Sequence, residues 1–137
     1  MGAMESAHLA VNGTLMRGLE LNPNMLAAGA RFLREEHTAA CYRIWSINDR
    51  HPAMLRTPGA GTSVALEIWD VPLAGLAGIL QNEPPGLCIG KVLLRDGSVV
   101  LGVLGEPFLC EGQLEITGHG GWRAYIASKT VPRAAAP

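Results

Sequence analysis

The run "LCIGKVLLRDGSVVLGVLG", Leu87 to Gly105, constrains the fold more than any other stretch of the chain. Two apolar, strand-like segments flank Arg95-Asp96-Gly97-Ser98, and Asp-Gly tolerates the positive φ angles of a tight turn between antiparallel strands. The chain must therefore build a sheet that contains this hairpin.

His8 to Asn12 predicts a short strand entering a turn at Gly13. In "NPNMLAAGARF", Asn22 is the expected N-cap, Pro23 the first helical residue, and Gly29 the stop after about two turns. From Arg31 the pattern changes to period two. "RFLREEHTAACYRIWSI" predicts a hairpin or two successive strands, and "NDRHP" turns the chain. "AML" follows as a short edge segment and "TPGAGTS" as a loop. Val64 to Val71 is the clearest strand, with Ala65, Glu67 and Trp69 alternating against Val64, Leu66 and Ile68. Pro72 is the expected first residue of a helix over "LAGLAGIL", which Pro84-Pro85-Gly86 ends. Beyond the hairpin, "GQLEIT" is a turn or a short helix and "GGWRAYIAS" a final helix. This order predicts an α+β domain around a mixed, curled sheet.

With 137 residues, the chain fits one domain, expected over residues 6–129. "MGAMES" places two methionines around a Gly-Ala pair, so residues 1–5 are expected to be a tag remnant, and the Pro- and Ala-rich residues 130–137 a flexible tail. Apolar residues make up 48% and charged residues 17%, which gives a large and mainly aliphatic core. The 11 basic and 12 acidic residues nearly cancel, and no Lys/Arg stripe is present to neutralise phosphates, which argues against nucleic acid as a partner. No apolar run approaches the roughly 20 residues that span a bilayer. The expectation is a cytoplasmic protein with no membrane partner. Cys41, Cys88 and Cys110 are isolated and lack CxxC or Cys/His pair spacing, so neither a metal nor another cofactor is expected. His37 and Cys41 lie about 13 Å apart on an extended segment, too far for a nucleophile and its base.

"NGTLMRG" resembles the glycine loop of the gamma-glutamylcyclotransferase-like superfamily, usually Tyr-Gly-Ser/Thr-Leu, with Asn12 at the Tyr position. "LNPNMLAAGARFLREEHTAACYRIW", the hairpin with "GEPFLCEG", and "EITGHGGWRAYIAS" more specifically resemble the C-terminal domain of allophanate hydrolase. The likeness runs from His8 to Ser128. It implies a mixed, curled sheet or barrel with a few short helices.

The resemblance also implies a site. The superfamily offers loop N–H groups to its substrate, which here would come from Gly13, Thr14 and Leu15 beside Asn12. A carboxylate near the end of the central helix acts as general base, and Glu83 in "LQNEPPG" stands at that place; by pattern alone it is an exposed turn residue. Such chemistry needs positioning and a carboxylate of suitable pKa, with no metal and no nucleophilic side chain. Arg123 is a candidate clamp for a carboxylate and Tyr125 a further substrate-binding candidate. Arg17 and Glu20 follow the loop as its rim, and Glu67 is a second candidate acid if its strand turns it inward. His119, beside Gly120 and Gly121, is a candidate titrating group that reads by default as a surface residue. The sequence departs from the family at Leu15, which aligns with the histidine of the family's "GAHL" loop and cannot transfer a proton.

Two functions are compatible with these residues. One is binding or conversion of a small amide, carbamate or carboxylate metabolite between the Gly13 loop and Glu83. The other is a non-catalytic accessory role, with a second copy of the chain or a separately encoded amidase as partner.

Overall fold

The computed structural model describes residues 5–130, so the expected tag remnant, apart from Glu5, and the tail beyond Thr130 lie outside the described residues. In chain order the elements are β1 (Ser6–Val11), α1 (Asn22–Ala27), β2 (Arg31–His37), β3 (Tyr42–Ile47), β4 (His51–Arg56), β5 (Ala65–Pro72), α2 (Leu73–Gln81), β6 (Leu87–Leu93), β7 (Val99–Gly105), α3 (Pro107–Cys110), β8 (Leu114–Glu115) and α4 (Trp122–Thr130). The fold is α+β and its main sheet is mixed. Five strands run in the order β2-β5-β1-β7-β6, with β1 and β7 parallel and the other pairs antiparallel. A second sheet of three strands, β4-β3-β8, packs against the first, and the two do not close into a single barrel.

The predicted hairpin forms β6 and β7, in register from Leu87 opposite Gly105 to Leu93 opposite Val99. β1 lies between β5 and β7 and buries Leu9, Ala10 and Val11 in succession, because a central strand covered on both faces has no polar side to present. β5 behaves in the same way. Its expected alternation is overridden, and Leu66, Glu67, Ile68 and Trp69 are all buried.

Several local expectations change where long-range pairing decides. β2 and β3 do not form a hairpin: β2 joins β5 at the edge of the large sheet, and β3 joins β4 and β8 in the small one. At the crossing, the Thr38 hydroxyl accepts the Val64 N–H at 2.9 Å. The true partner of β3 is β4, reached through the three-residue loop Asn48-Asp49-Arg50, in which Asn48 and Asp49 are left-handed with φ of 51° and 61° and the Arg50 N–H donates to the Ile47 carbonyl at 2.9 Å. "AML" is thus the centre of a six-residue edge strand. Asn22 lies inside α1 and not at its cap; its side chain donates to the Leu15 carbonyl instead, at 2.9 Å. Pro72 ends β5 with extended backbone, and α2 starts at Leu73. "GQLEIT" supplies the short strand β8, followed by a single 3₁₀ turn over Thr117–His119.

Tyr42 joins the two sheets. It is fully buried, and its hydroxyl accepts the Leu93 N–H of β6 at 2.9 Å. The loop after β4 lies on the same residue, with Thr62 N–H donating to the Tyr42 carbonyl at 2.8 Å. Gly61 makes that approach feasible, because a Cβ there would sit 2.5 Å from the Tyr42 carbonyl oxygen, at a φ of +94°.

Gly61→Ala is therefore expected to cost more than about 2 kcal/mol of unfolding free energy in urea, from left-handed strain plus overlap with backbone that cannot yield. Gly97→Ala, at φ +89° with open space around it, should cost only about 1 kcal/mol. Equal losses in the two variants would show that contact with Tyr42 is not the deciding factor.

Candidate functional site

The loop that follows β1 is held by its carbonyl oxygens and by Asn12. The Gly13 carbonyl accepts Met16 N–H at 2.9 Å, the Thr14 carbonyl accepts Leu21 N–H at 2.9 Å, and the Leu15 carbonyl accepts the Asn22 side chain. Buried Asn12 donates its amide to the Val103 carbonyl at 2.9 Å and ties the loop to β7. The N–H groups of Gly13, Thr14 and Leu15 donate to no acceptor among the described residues. Glycine is required at position 13, because a Cβ would meet the Pro52 ring of β4 at 2.5 Å.

Opposite the loop stands Glu83, one residue past the C-cap of α2. Its N–H donates to the Leu80 carbonyl at 3.1 Å, which carries the last turn of the helix as far as the carboxylate. Pro84 cannot continue the helix, so the side chain is held at this point. The Glu83 Oε2 atom is buried with no hydrogen-bond partner, and burial pushes the carboxyl up to about 7.

Asn12, Gly13, Leu15, Pro52, Glu83 and Val103 are among the residues that enclose a cavity of about 10 Å³, the room of a single water molecule. Thr14, His51 and Glu83 line both this cavity and a wider cleft of about 220 Å³, whose rim carries Glu20 and Arg50. The structure thus brings Glu83, Asn12, Gly13, Thr14 and Leu15 together. It does not bring Arg123 or Tyr125 to them.

Arg123 belongs to a different cluster, centred on Glu67. That carboxylate is 2% exposed and accepts four donors: Arg17 N–H at 3.0 Å, Arg17 Nε at 3.1 Å, Trp69 Nε1 at 3.1 Å and Arg123 Nη2 at 3.2 Å. Desolvation would raise its pKa, but the hydrogen bonds from Arg17 and Trp69 outweigh it and hold the carboxyl below the usual range. Glu67 does face inward, as a saturated acceptor and not as a free acid. Arg17 also pairs with Glu35 at 2.7 Å and stacks on Phe32, so it is an anchor of the loop and not only its rim. A cleft of about 360 Å³ adjoins this cluster, between β2 and α4.

Tyr125 donates its hydroxyl to Asp49 at 2.6 Å, in the turn between β3 and β4. Asp49 also pairs with Lys129 and accepts the Ser46 hydroxyl at 3.0 Å; the Lys129 bond, then Tyr125, hold its carboxyl down to about 2. Arg123 Nη2 donates to the Arg17 carbonyl as well, at 3.0 Å. Helix α4 therefore braces both walls of the cavity from behind, the loop through Arg123 and the β3–β4 hairpin through Tyr125. His119 is exposed, its ring edge-on to Tyr125 at 5.2 Å, and lines neither cavity nor cleft.

Residues 7–127 match the family model of the allophanate hydrolase C-terminal domain. The chain belongs to that family. A urea amidolyase of Lachancea kluyveri is 30% identical over 134 residues, which cover 89% of this chain and 7% of that protein. A solved uropathogenic E. coli-specific protein is 61% identical with a TM-score of 0.89, over 90% of this chain and 98% of that one. Kluyveromyces lactis allophanate hydrolase is 27% identical with a TM-score of 0.87, over 92% of this chain and 22% of that one. The chain thus spans only a small part of the yeast enzymes it matches. A gamma-glutamyl cyclotransferase structure shares the fold, with a TM-score of 0.51 at 14% identity.

Sequence reasoning missed His51 and Arg50 as members of the site. Both lie in "NDRHP", which reads as a plain chain reversal, and nothing local marks them. They reach the cleft because β4 packs against the Gly13 loop.

Glu83 and Glu67 should respond to pH in opposite senses. Glu83 has a folded pKa above its ordinary 4.5, so it binds more protons folded than unfolded and its ionisation costs stability as pH rises from about 4.5 to 7. Glu83→Gln is expected to raise the unfolding free energy at pH 8 by up to about 3 kcal/mol, seen as a higher thermal midpoint, with the gain gone below pH ~4.5. Glu67 has a lowered pKa, so its contribution is present above its ordinary 4.5 and is lost as pH falls through the folded value. Glu67→Gln should lose about 2–3 kcal/mol at pH 7 and match the parent more closely on acidification. A thermal melt of each variant across pH 3–9 checks both.

Proposed function

We propose that the Glu83 cavity is where the protein binds and converts a small metabolite carrying an amide, carbamate or carboxylate group, with Glu83 as the proton carrier. The observation that carries this reading is a buried carboxyl oxygen without a partner, on a group poised near pH 7, facing a loop with three unspent N–H donors. A fold gains no stability from such an arrangement. A substrate that supplies the missing partners relieves it.

As carboxylate, Glu83 takes a proton from an attacking amine while the new C–N bond forms, and the loop N–H groups hold the oxygen of the carbonyl under attack. As neutral acid, it returns that proton to the nitrogen whose C–N bond breaks. On an N-carboxylated substrate the same neutral acid protonates the nitrogen left when carbon dioxide departs. The names of the matched yeast enzymes, urea amidolyase and allophanate hydrolase, support a substrate with amide or carbamate nitrogen. The inner space of about 10 Å³ holds one water and must widen to take the reacting end of such a molecule, while the wider cleft lined by Glu20 and Arg50 takes the remainder.

A second reading, the accessory subunit of a separately encoded amidase or a self-associating protein, is favoured by Leu15 at the position of the family's loop histidine and by exposed Phe108 on α3 and Leu114 on β8. One experiment separates the two. The protein and Glu83→Gln are incubated with γ-glutamyl amines, carbamates and ureido acids and the products followed by mass spectrometry. Turnover that falls roughly 100-fold or more in the variant is expected. Equal turnover removes Glu83 from the chemistry, and neither turnover nor binding by the parent, with an amidase or second copy co-purifying, favours the accessory role.

A further inference from the structure

His51 begins β4 and is the one residue besides Thr14 and Glu83 that lines both the inner cavity and the outer cleft. Its Nδ1 lies 3.1 Å from the carbonyl oxygen of Pro52. A carbonyl oxygen can only accept, so Nδ1 carries the proton of the neutral ring and Nε2 is left with its lone pair. Nε2 has no hydrogen-bond partner among the described residues.

The backbone on either side of the ring is fixed. On one side Asp49 is locked by Ser46, Tyr125 and Lys129; on the other, Pro52 packs against the Gly13 loop. Rigid flanks of this kind hold a group to the tolerance that proton transfer needs. The charged groups that share the cleft are Glu83, Glu20 and Arg50, and the last two lie 4.0 Å from each other. Glu83 is therefore the acid of this shared lining that has no counter-charge.

We infer that His51 is the second proton-carrying residue of this site, a catalytic base whose Nε2 works opposite the Glu83 carboxyl. The assignment rests on the Glu83 cavity being the functional site. With two groups, one step moves two protons: Nε2 takes the proton of the attacking nitrogen as its bond to carbon forms, and the Glu83 O–H gives its proton to the nitrogen that leaves. The step ends with an imidazolium and a carboxylate, and the proton returns from His51 to Glu83 through water in the cleft. Neither group must then act as base and acid in succession. Leu15, which carries no proton, needs no substitute from its own loop, because the imidazole arrives from β4.

Two measurements test this on the full chain. Ring ¹⁵N NMR should find the neutral His51 protonated on Nδ1, with ring resonances that move when Glu83 is replaced by Gln. In the turnover panel, His51→Gln should lower kcat by about 10-fold or more, leave KM within about two-fold, and remove one limb of the pH profile, with its melting curve unchanged. A ring protonated on Nε2, ring resonances indifferent to Glu83→Gln, or a pH profile that His51→Gln leaves intact would each overturn the assignment. The ring measurement needs no substrate. A panel that the parent does not turn over therefore counts against the Glu83 reading, while the ring decides the His51–Glu83 pairing by itself.

Discussion

Glu67 is a charged side chain in the middle of a buried strand, where an unpaired carboxylate would cost several kcal/mol. Four donors from three separate parts of the chain make it tolerable: Arg17 beyond the first loop, Trp69 on its own strand, and Arg123 on the last helix. Meeting that electrostatic demand also decides where the pieces go. The end of the Gly13 loop is drawn onto β5 by its own backbone N–H, and α4 is drawn to the same point. The position of the loop, and so of the wall of the cavity, follows from a carboxylate that lines neither that cavity nor its outer cleft.

The two inward carboxylates show how donors, more than burial, set the charge state. Both are pushed toward neutrality by loss of water. Glu67 has four partners and stays ionised; Glu83 has an oxygen with none and is held near 7. The protein itself satisfies the first carboxylate and leaves an oxygen of the second without a partner.

Much of the fold was legible because its signals are local. Asp96-Gly97 marks the β6–β7 turn, the apolar run of β5 marks a strand, and Pro84-Pro85 marks the end of α2. What could not be read was choice of partner. "RFLREEHTAACYRIWSI" contains two strands, as its period suggests, but whether they pair with each other depends on β5, β4 and β8, whose paired residues lie 4 to 70 positions away. Asn22 looks like a cap from its neighbours, yet the Leu15 carbonyl claims its amide. The loop and Glu83 were found through likeness to a family, since an isolated Glu before two prolines carries no signal of burial. Arg123 and Tyr125 stand in the same distinctive motif, but a helix's sequence does not reveal what its polar atoms meet 76 to 106 residues earlier in the chain.

Their actual positions give α4 a significance that its sequence does not suggest. One short helix holds the loop through Arg123 and the hairpin through Tyr125, so the two walls of the cavity are not independent. A change that displaces the loop strains the contacts of Arg123, and one that displaces the hairpin strains the Tyr125–Asp49 bond, so a shift of either wall is felt at the same helix.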